Sequence, residues 1–233
     1  PFASHPICDL DWVGEFMGDF RLLGAYAQAH GMRITMHPGQ YTLVNTPSEK
    51  TWQSSVAELV YHATILDLMG LDTTAKLQLH VGGVYGDKAG SIARFIERFA
   101  LLPEIVRRRL VIENDERLYG VPDCVLIAEA THVPILFDDF HFRLKDDGLP
   151  YAEALRLTRA TWRAGDGVPL VDYSSQDQSK RFGSHAATLD ETDFAGFLDR
   201  IAGFDMDIML EIKDKNHSAV RALAILRERG LCA

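Results

Sequence analysis

Six short apolar runs, separated by longer amphipathic stretches, set the rhythm of this chain. They are RITMH (33–37), KLQLHV (76–81), LVIEN (110–114), PILFDD (134–139), PLVDYS (169–174) and DIMLEIK (207–213). They are brief and rich in Ile, Val and Leu, as strands buried on both faces require. Between them lie segments with helical patterning at 19–31, 47–70, 91–103, 121–132, 149–163, 190–203 and 216–230. The first closes on Gly31; the second opens with Pro47 and Ser48 and closes on Gly70, which are helix start and stop signals. The last has Asn216 and Ser218 near its start and Arg227 and Arg229 near its end, as the helix dipole favours. Strict alternation of strand and helix predicts a parallel sheet with right-handed crossovers. A closed (β/α)8 barrel has eight strands and typically about 250 residues. The expectation is therefore an α/β fold, a TIM (β/α)8 barrel lacking its first two strands, in one domain over 1–233. Such a barrel has open edges, which a preceding segment or a partner subunit is expected to cover. An open doubly wound sheet is the alternative. No G-x-G-x-x-G or G-x-x-x-x-G-K-[ST] follows any strand, so the usual nucleotide-binding signals are absent.

At or near its end each run carries a residue that can bind metal: His37, His80, Glu113, Asp138, Asp172 and Glu211. In parallel α/β folds the C-terminal strand ends gather at one face, where the sites lie. His5, His141 and His185 can join from loops. Any one of these residues has an ordinary explanation as a hydrogen-bonded core histidine, a cap or a salt bridge. The joint pattern is different, because clustered acids repel one another and divalent cations remove that cost. Mixed His/carboxylate sets suit Mn, Zn or Fe, whereas all-oxygen sets suit Mg or Ca. His30 and His132 at helix ends, His62 in mid-helix and His217 in a first turn are expected to be structural or solvated.

Composition changes this picture in two ways. The 233 residues are 47% hydrophobic and 24% charged, with no apolar run long enough for a transmembrane helix. The N-terminus carries no signal-peptide pattern, and Cys8, Cys124 and Cys232 form no C-x-x-C, so a cytoplasmic protein with reduced thiols is expected. A net charge of -9 argues against an extended nucleic-acid surface, although bound divalent cations would offset part of it. Arg143, Lys145, Lys180 and Arg181 are the candidates for a locally basic groove. Two or three clustered cations serve phosphodiester hydrolysis. The same ligands also serve sugar isomerisation or epimerisation on barrels, and a degenerate, non-catalytic chain is a third reading.

MHPGQYTLVNTPSE (36–49), LVIENDERLY (110–119), PILFDDFHF (134–142), YSSQ (173–176), SHAATLD (184–190) and MLEIKDKN (209–216), with FASHP (2–6), closely resemble the UV-damage endonuclease family across nearly the whole chain. A more distant similarity is to endonuclease IV-type abasic-site nucleases. The resemblance implies a TIM barrel with two or three divalent metal ions at its mouth, Mn first, with Zn, Mg or Co as alternatives. It implies incision of double-stranded DNA carrying a distorting lesion, on the 5′ side, and no membrane partner. The family's metal ligands fall on His37, His80, Glu113, Asp138, His141, His185 and Glu211, and its early histidine on His5. Apart from the resemblance, the catalytic candidates are Glu113, placed on a central strand to bridge two ions, Glu211, and Lys213, expected to contact phosphate or balance Glu211. Gln40 and Tyr41 match the pair that probes the distorted duplex. Where the family often reads Lys-x-His before the paired serines, this chain has Leu170 and Asp172. Asp172 retains a ligand for the second metal, and Leu170 supplies no carbamate for a third.

Overall fold

The computed structural model describes residues 2–232. Its strands are β1 (Thr35–Met36), β2 (Lys76–His80), β3 (Leu110–Glu113), β4 (Ile135–Asp138), β5 (Leu170–Tyr173) and β6 (Asp207–Leu210). They form one sheet in the order β1-β2-β3-β4-β5-β6, every neighbouring pair parallel. A doubly wound sheet reverses its strand order at a switch point. This order never reverses, which rules out that alternative. The helices are α1 (Trp12–Ala29), α2 (Glu49–Leu68), α3 (Lys88–Leu101), α4 (Glu104–Arg107), α5 (Val121–Thr131), α6 (Asp139–Leu144), α7 (Tyr151–Arg159), α8 (Glu191–Arg200) and α9 (Asn216–Glu228).

The sheet is curled into an incomplete barrel. Gln78 on β2 donates to Asp172 on β5, three strands away, which a flat sheet forbids. At the opposite end, Arg33 precedes β1 yet reaches Asp207 of β6 at 2.8 Å, the carbonyls of Thr74 and Asp166 at 2.7 Å each, and the Val168 carbonyl. Its guanidinium stacks on Trp162 at 5.4 Å, and the buried Lys76 pairs with Asp166 beside it at 2.5 Å. Arg33, Lys76 and Trp162 thus plug the floor where strand N-termini converge.

Strand residues alternate between two environments, as a period of two dictates. Leu77, Leu79, Leu110, Ile112 and Ile135 pack outward with α2, α3 and α5 in one apolar cluster. Phe137, Val171 and Tyr173 pack with α7, α8 and α9 in a second. The inward set is small: Val111, Leu136 and Leu170 form a floor layer with Trp162. Above that layer the inward positions are Gln78, His80, Glu113, Asp138 and Asp172.

Boundary differences have local causes. The first helix begins at Trp12, not at residue 19, because Asp11 caps it by accepting from the Gly14 amide at 3.0 Å. Gly14 and Gly18 obscure that turn in the sequence. The short α4 and α6 have no counterpart in the sequence pattern; α6 is started by Asp138, which accepts from the His141 amide at 2.7 Å. The expected open edges are present. β6 is only half-buried, with Met209 36% exposed, while Leu22, Leu23 and Tyr26 on α1 and Val220 and Leu223 on α9 face solvent. Among the described residues no helix is long and apolar enough to cross a membrane.

Candidate metal centre

Parity explains why the strand ends converge. His80 follows Gln78 and Lys76 on the inward face of β2; Glu113, Asp138 and Asp172 are the next inward positions after Val111, Leu136 and Leu170. His37 and Glu211 lie one residue past β1 and β6, and continue the inward set of those strands. The result is three overlapping groups: His37, His80 and Glu113; Glu113, Asp138 and His141; Asp138, Asp172 and Glu211. Within each group the potential ligand atoms lie within 4.8 Å of one another. Glu113 and Asp138 are the links between the groups.

The bonding is dense. Glu113 Oε1 is 2.8 Å from His37 Nε2 and 3.2 Å from His80 Nε2, while Oε2 accepts from Gln78 at 2.7 Å. His141 Nδ1 is 2.9 Å from Asp138 Oδ2. Four imidazoles run in a row, with ring separations of 5.4 Å from His37 to His80, 5.8 Å on to His141 and 5.7 Å on to His185. His185 closes the row against Glu211, Nδ1 to Oε2 3.4 Å. Asn114 ties β3 to β4 with two 3.0 Å bonds to the Asp138 backbone, so the two linking acids are held in fixed relation.

Electrostatics divide the acids. Burial alone would raise the Glu113 carboxyl, but the imidazoles of His80, His37 and His141 hold it at about 2. Burial would lower His141, but Asp138, Glu113 and Glu116 raise it to about 10. Glu211 is pushed up to about 7 by burial and by the charges of Glu113 and Asp138. Asp172 rises well above the carboxylate range for the same reason, burial first and then Glu211, Glu113 and Asp138. Its Oδ1 and the Nδ1 of His80 are buried without a hydrogen-bond partner among the described residues. Native proteins rarely leave such atoms unpaired. An excess of acids, held together with neutral-capable imidazoles and orphaned ligand atoms, fits divalent cations.

Other expected residues lie elsewhere. His5 is exposed and outside the three groups; it lines a groove of about 730 Å³ with Tyr41, Lys50, Gln53, Glu58 and His62. Gln40 and Tyr41 are the two central residues of a turn closed by the Thr42 amide on the Gly39 carbonyl at 2.9 Å. Buried Thr42, Val44 and Asn45 anchor that loop, and Tyr41 is 80% exposed at its tip. Lys213 is exposed and, among the described residues, makes no ion pair with Glu211; its electrostatic neighbour is Lys180. Arg143 is not part of an open basic groove: it is bound to Asp139 at 2.8 Å, Asp193 at 2.9 Å and the Ser174 carbonyl at 2.8 Å. Leu170 belongs to the apolar floor layer. His30, His62 and His132 cap or brace helices, as expected.

Two residues of the site were not foreseen. Gln78 bridges Glu113 and Asp172, and its parity with His80 in KLQLH was the available signal. Glu116 stands 3.7 Å from His141 Nε2, brought there by the loop after β3, for which no periodic signal exists.

Residues 1–230 match the family described as UV-endonuclease UvdE. A "UV DNA damage endonuclease" of Clostridium perfringens is 37% identical over 230 residues, covering 98% of this chain and 56% of that protein. The chain thus spans about half the length of this relative. The crystal structure of SacUVDE superimposes with a TM-score of 0.94 at 39% identity, covering 100% of this chain and 78% of that one. Endonuclease IV from Thermus thermophilus (TM-score 0.60, 19% identity, 97% of this chain and 84% of that one) and a D-psicose 3-epimerase (0.61, 14%, 91% and 83%) share the fold alone. The sugar-isomerase alternative therefore has support only at the level of fold.

Proposed function

Because the chain belongs to the UV-endonuclease UvdE family, we propose that it is a divalent-metal-dependent endodeoxyribonuclease. Its substrate is double-stranded DNA distorted by UV photolesions, namely cyclobutane dimers and 6-4 photoproducts, and by abasic sites. It incises on the 5′ side and leaves a 3′-hydroxyl. The observation that carries this reading is the chain of three ligand groups linked by Glu113 and Asp138, with Asp172 Oδ1 left unpaired among the described residues.

His37, His80 and Glu113 form one holding set, and Asp138, Asp172 and Glu211 another, with His141 beside Glu113 and Asp138 between them. His141, His185 and Glu211 are the residues available to a third ion. Mn is the first choice, with Zn, Mg or Co as alternatives. Cations there would supply Lewis-acid stabilisation of charge developing on the phosphate. Glu113 stays anionic at every working pH and is the shared carboxylate of the first two groups. Glu211, pushed up to about 7 in the metal-free chain by burial and the charges of Glu113 and Asp138, would give up its proton on holding a cation. Lys213, exposed beside the site, contacts a phosphate. The cytoplasm is the proposed location, in keeping with three free thiols.

Gln40 and Tyr41, presented on a braced turn, enter the destacked duplex at the lesion. Replacing both with alanine is expected to reduce the preference for damaged over intact duplex by about tenfold or more, since each base–aromatic stack is worth ~1–3 kcal/mol. Bound metal should stay at the wild-type level. Competition binding and elemental analysis read both quantities, and equal loss of metal in the variant would make these residues structural instead.

The test of the function itself is incubation of the chain with Mn and end-labelled UV-irradiated, abasic and intact duplexes. Incision confined to the damaged duplexes, on the 5′ side and with 3′-hydroxyl ends, is the expected product pattern. Uncut damaged duplex, with ketose epimerisation by the same preparation, would overturn the proposal.

A further inference from the structure

Between β5 and α8 the chain folds back on itself over residues 176–185. Gln176 and His185 form an antiparallel bridge, and the Asp177 amide donates to the Ser184 carbonyl at 2.8 Å. The Gln176 side chain fills the middle of this hairpin. Its Nε2 donates to the Arg181 carbonyl at 3.1 Å and its Oε1 accepts from the Gly183 amide at 2.8 Å. Ser179 and Ser184 add further bonds to Asp177 and Arg181. Gly183 turns the tip with φ +80, in the left-handed region that favours glycine. With its backbone so fully bonded, the tip has no slack to draw in its one large apolar side chain, and Phe182 is 59% exposed.

An isolated surface phenylalanine means little. This one has cations on both the chain and the neighbouring loop. Lys180 and Arg181 precede it, both exposed, and among the described residues Arg181 makes no ion pair. Lys180 is oriented by Asp177 at 2.9 Å, and Lys213, which comes from the loop after β6, is its electrostatic neighbour. In a chain of net charge -9, two neighbouring exposed lysines beside an arginine without an ion pair among the described residues form an anion-seeking locus. A phosphate between the two lysines relieves their repulsion.

Position relates this locus to the metal centre. Phe182 is three residues from His185, whose ring stands 5.7 Å from that of His141. Three residues of chain span at most about 11 Å. DNA rises about 3.4 Å per nucleotide along a strand, so the tip acts within about three nucleotides of a phosphate at the centre. Tyr41 rises from the loop after β1 and Phe182 from the loop after β5, four places apart in the curled sheet. The two exposed aromatic tips therefore stand on different sides of the mouth.

We propose that the 176–185 hairpin is a second duplex-engaging element, in which Phe182 stacks on a nucleobase next to the incision site while Lys180 and Lys213 clamp a backbone phosphate. This rests on the nuclease reading given above. The test compares wild type with F182A, F182W and the double variant K180A/K213A, all loaded with Mn. The probe is a lesion duplex carrying 2-aminopurine at each of the three nucleotides flanking the incision phosphate. F182A should bind about 5- to 100-fold more weakly and flatten the 2-aminopurine response, and F182W should restore both, as a stacking role requires. The lysine variant should lower the slope of log affinity against log salt by about 1. Metal content and circular dichroism should match wild type in all three. Wild-type affinity, 2-aminopurine response and salt slope in the variants would overturn this inference alone. A wild-type chain that binds no duplex would overturn it together with the nuclease reading.

Discussion

Glu113→Gln is expected to abolish metal-dependent cleavage. The substitution keeps the shape of the side chain and removes one charge at a position only 1% exposed. That charge is shared by two ligand groups and faces His37 at 2.8 Å and His80 at 3.2 Å. Loss of an outer-shell partner alone typically costs 10–100-fold in metal affinity, so loss of the shared carboxylate should exceed about 100-fold. Without cations the substitution removes a carboxylate that the imidazoles of His80, His37 and His141 hold ionised, so the chelated variant should lose the stability of that pairing. Urea midpoints of wild type and variant should therefore separate in chelator, and separate further when Mn is added. Equal separation in both conditions would mean that Glu113 is needed for folding rather than for holding cations, and retained cleavage would remove it from the centre altogether.

The second large effect is an inversion of the pH dependence of stability on metal removal. Glu211 has a folded-state value of about 7, above its ordinary 4.5, because of burial and the neighbouring acids. The folded chain then binds more protons than the unfolded one between those values, so this contribution to stability falls as pH rises from 4.5 to 7. Asp172, raised by burial and the same neighbours, acts in the same direction. His141, drawn up to about 10 by Asp138, Glu113 and Glu116 against its burial, contributes stability that is complete below 6.5 and is lost as pH climbs towards 10. Glu113 is the opposing case: held at about 2 by its imidazoles, it contributes stability above 4.5 that is lost on acidification. The chelated protein should thus be most stable near pH 5 and weaken by a few kcal/mol towards pH 8, since each tenfold difference in proton affinity between folded and unfolded chain is worth ~1.4 kcal/mol. Metal ligands must be deprotonated, so cation binding releases protons and stabilises more strongly as pH rises. Urea titrations from pH 4.5 to 8 in chelator and in Mn should diverge steadily with pH. Parallel curves would show that the acids are not answering to cations.

How far this arrangement was legible differs from residue to residue. The six terminal acids and histidines stood at or near the ends of apolar runs, and a period of two is enough to place them on one face once the sheet is parallel. Gln78 and Lys76 share that parity in KLQLH, yet a run expected to be buried on both sides gave no reason to look for polar inward residues. Asp138 and His141 were both visible, but the turn that joins them was not, because Asp138 serves as cap and candidate ligand at once. Arg33 was invisible as a structural element, since its partner Asp207 is 174 residues away and only the curl of the sheet unites them. Arg143 was misread partly for the same reason: Asp139 pairs with it from four residues back, but Asp193, which completes its neutralisation, lies 50 residues on. Local pattern specifies which face a side chain takes, whereas long-range pairing decides whether a charge is available to a substrate.

Manganese-edge anomalous scattering from crystals soaked in Mn addresses the central claim most directly. Two peaks at the barrel mouth are predicted, one bounded by His37, His80 and Glu113 and the other by Asp138, Asp172 and Glu211. An empty mouth, or peaks confined to exposed surface acids, would contradict the account.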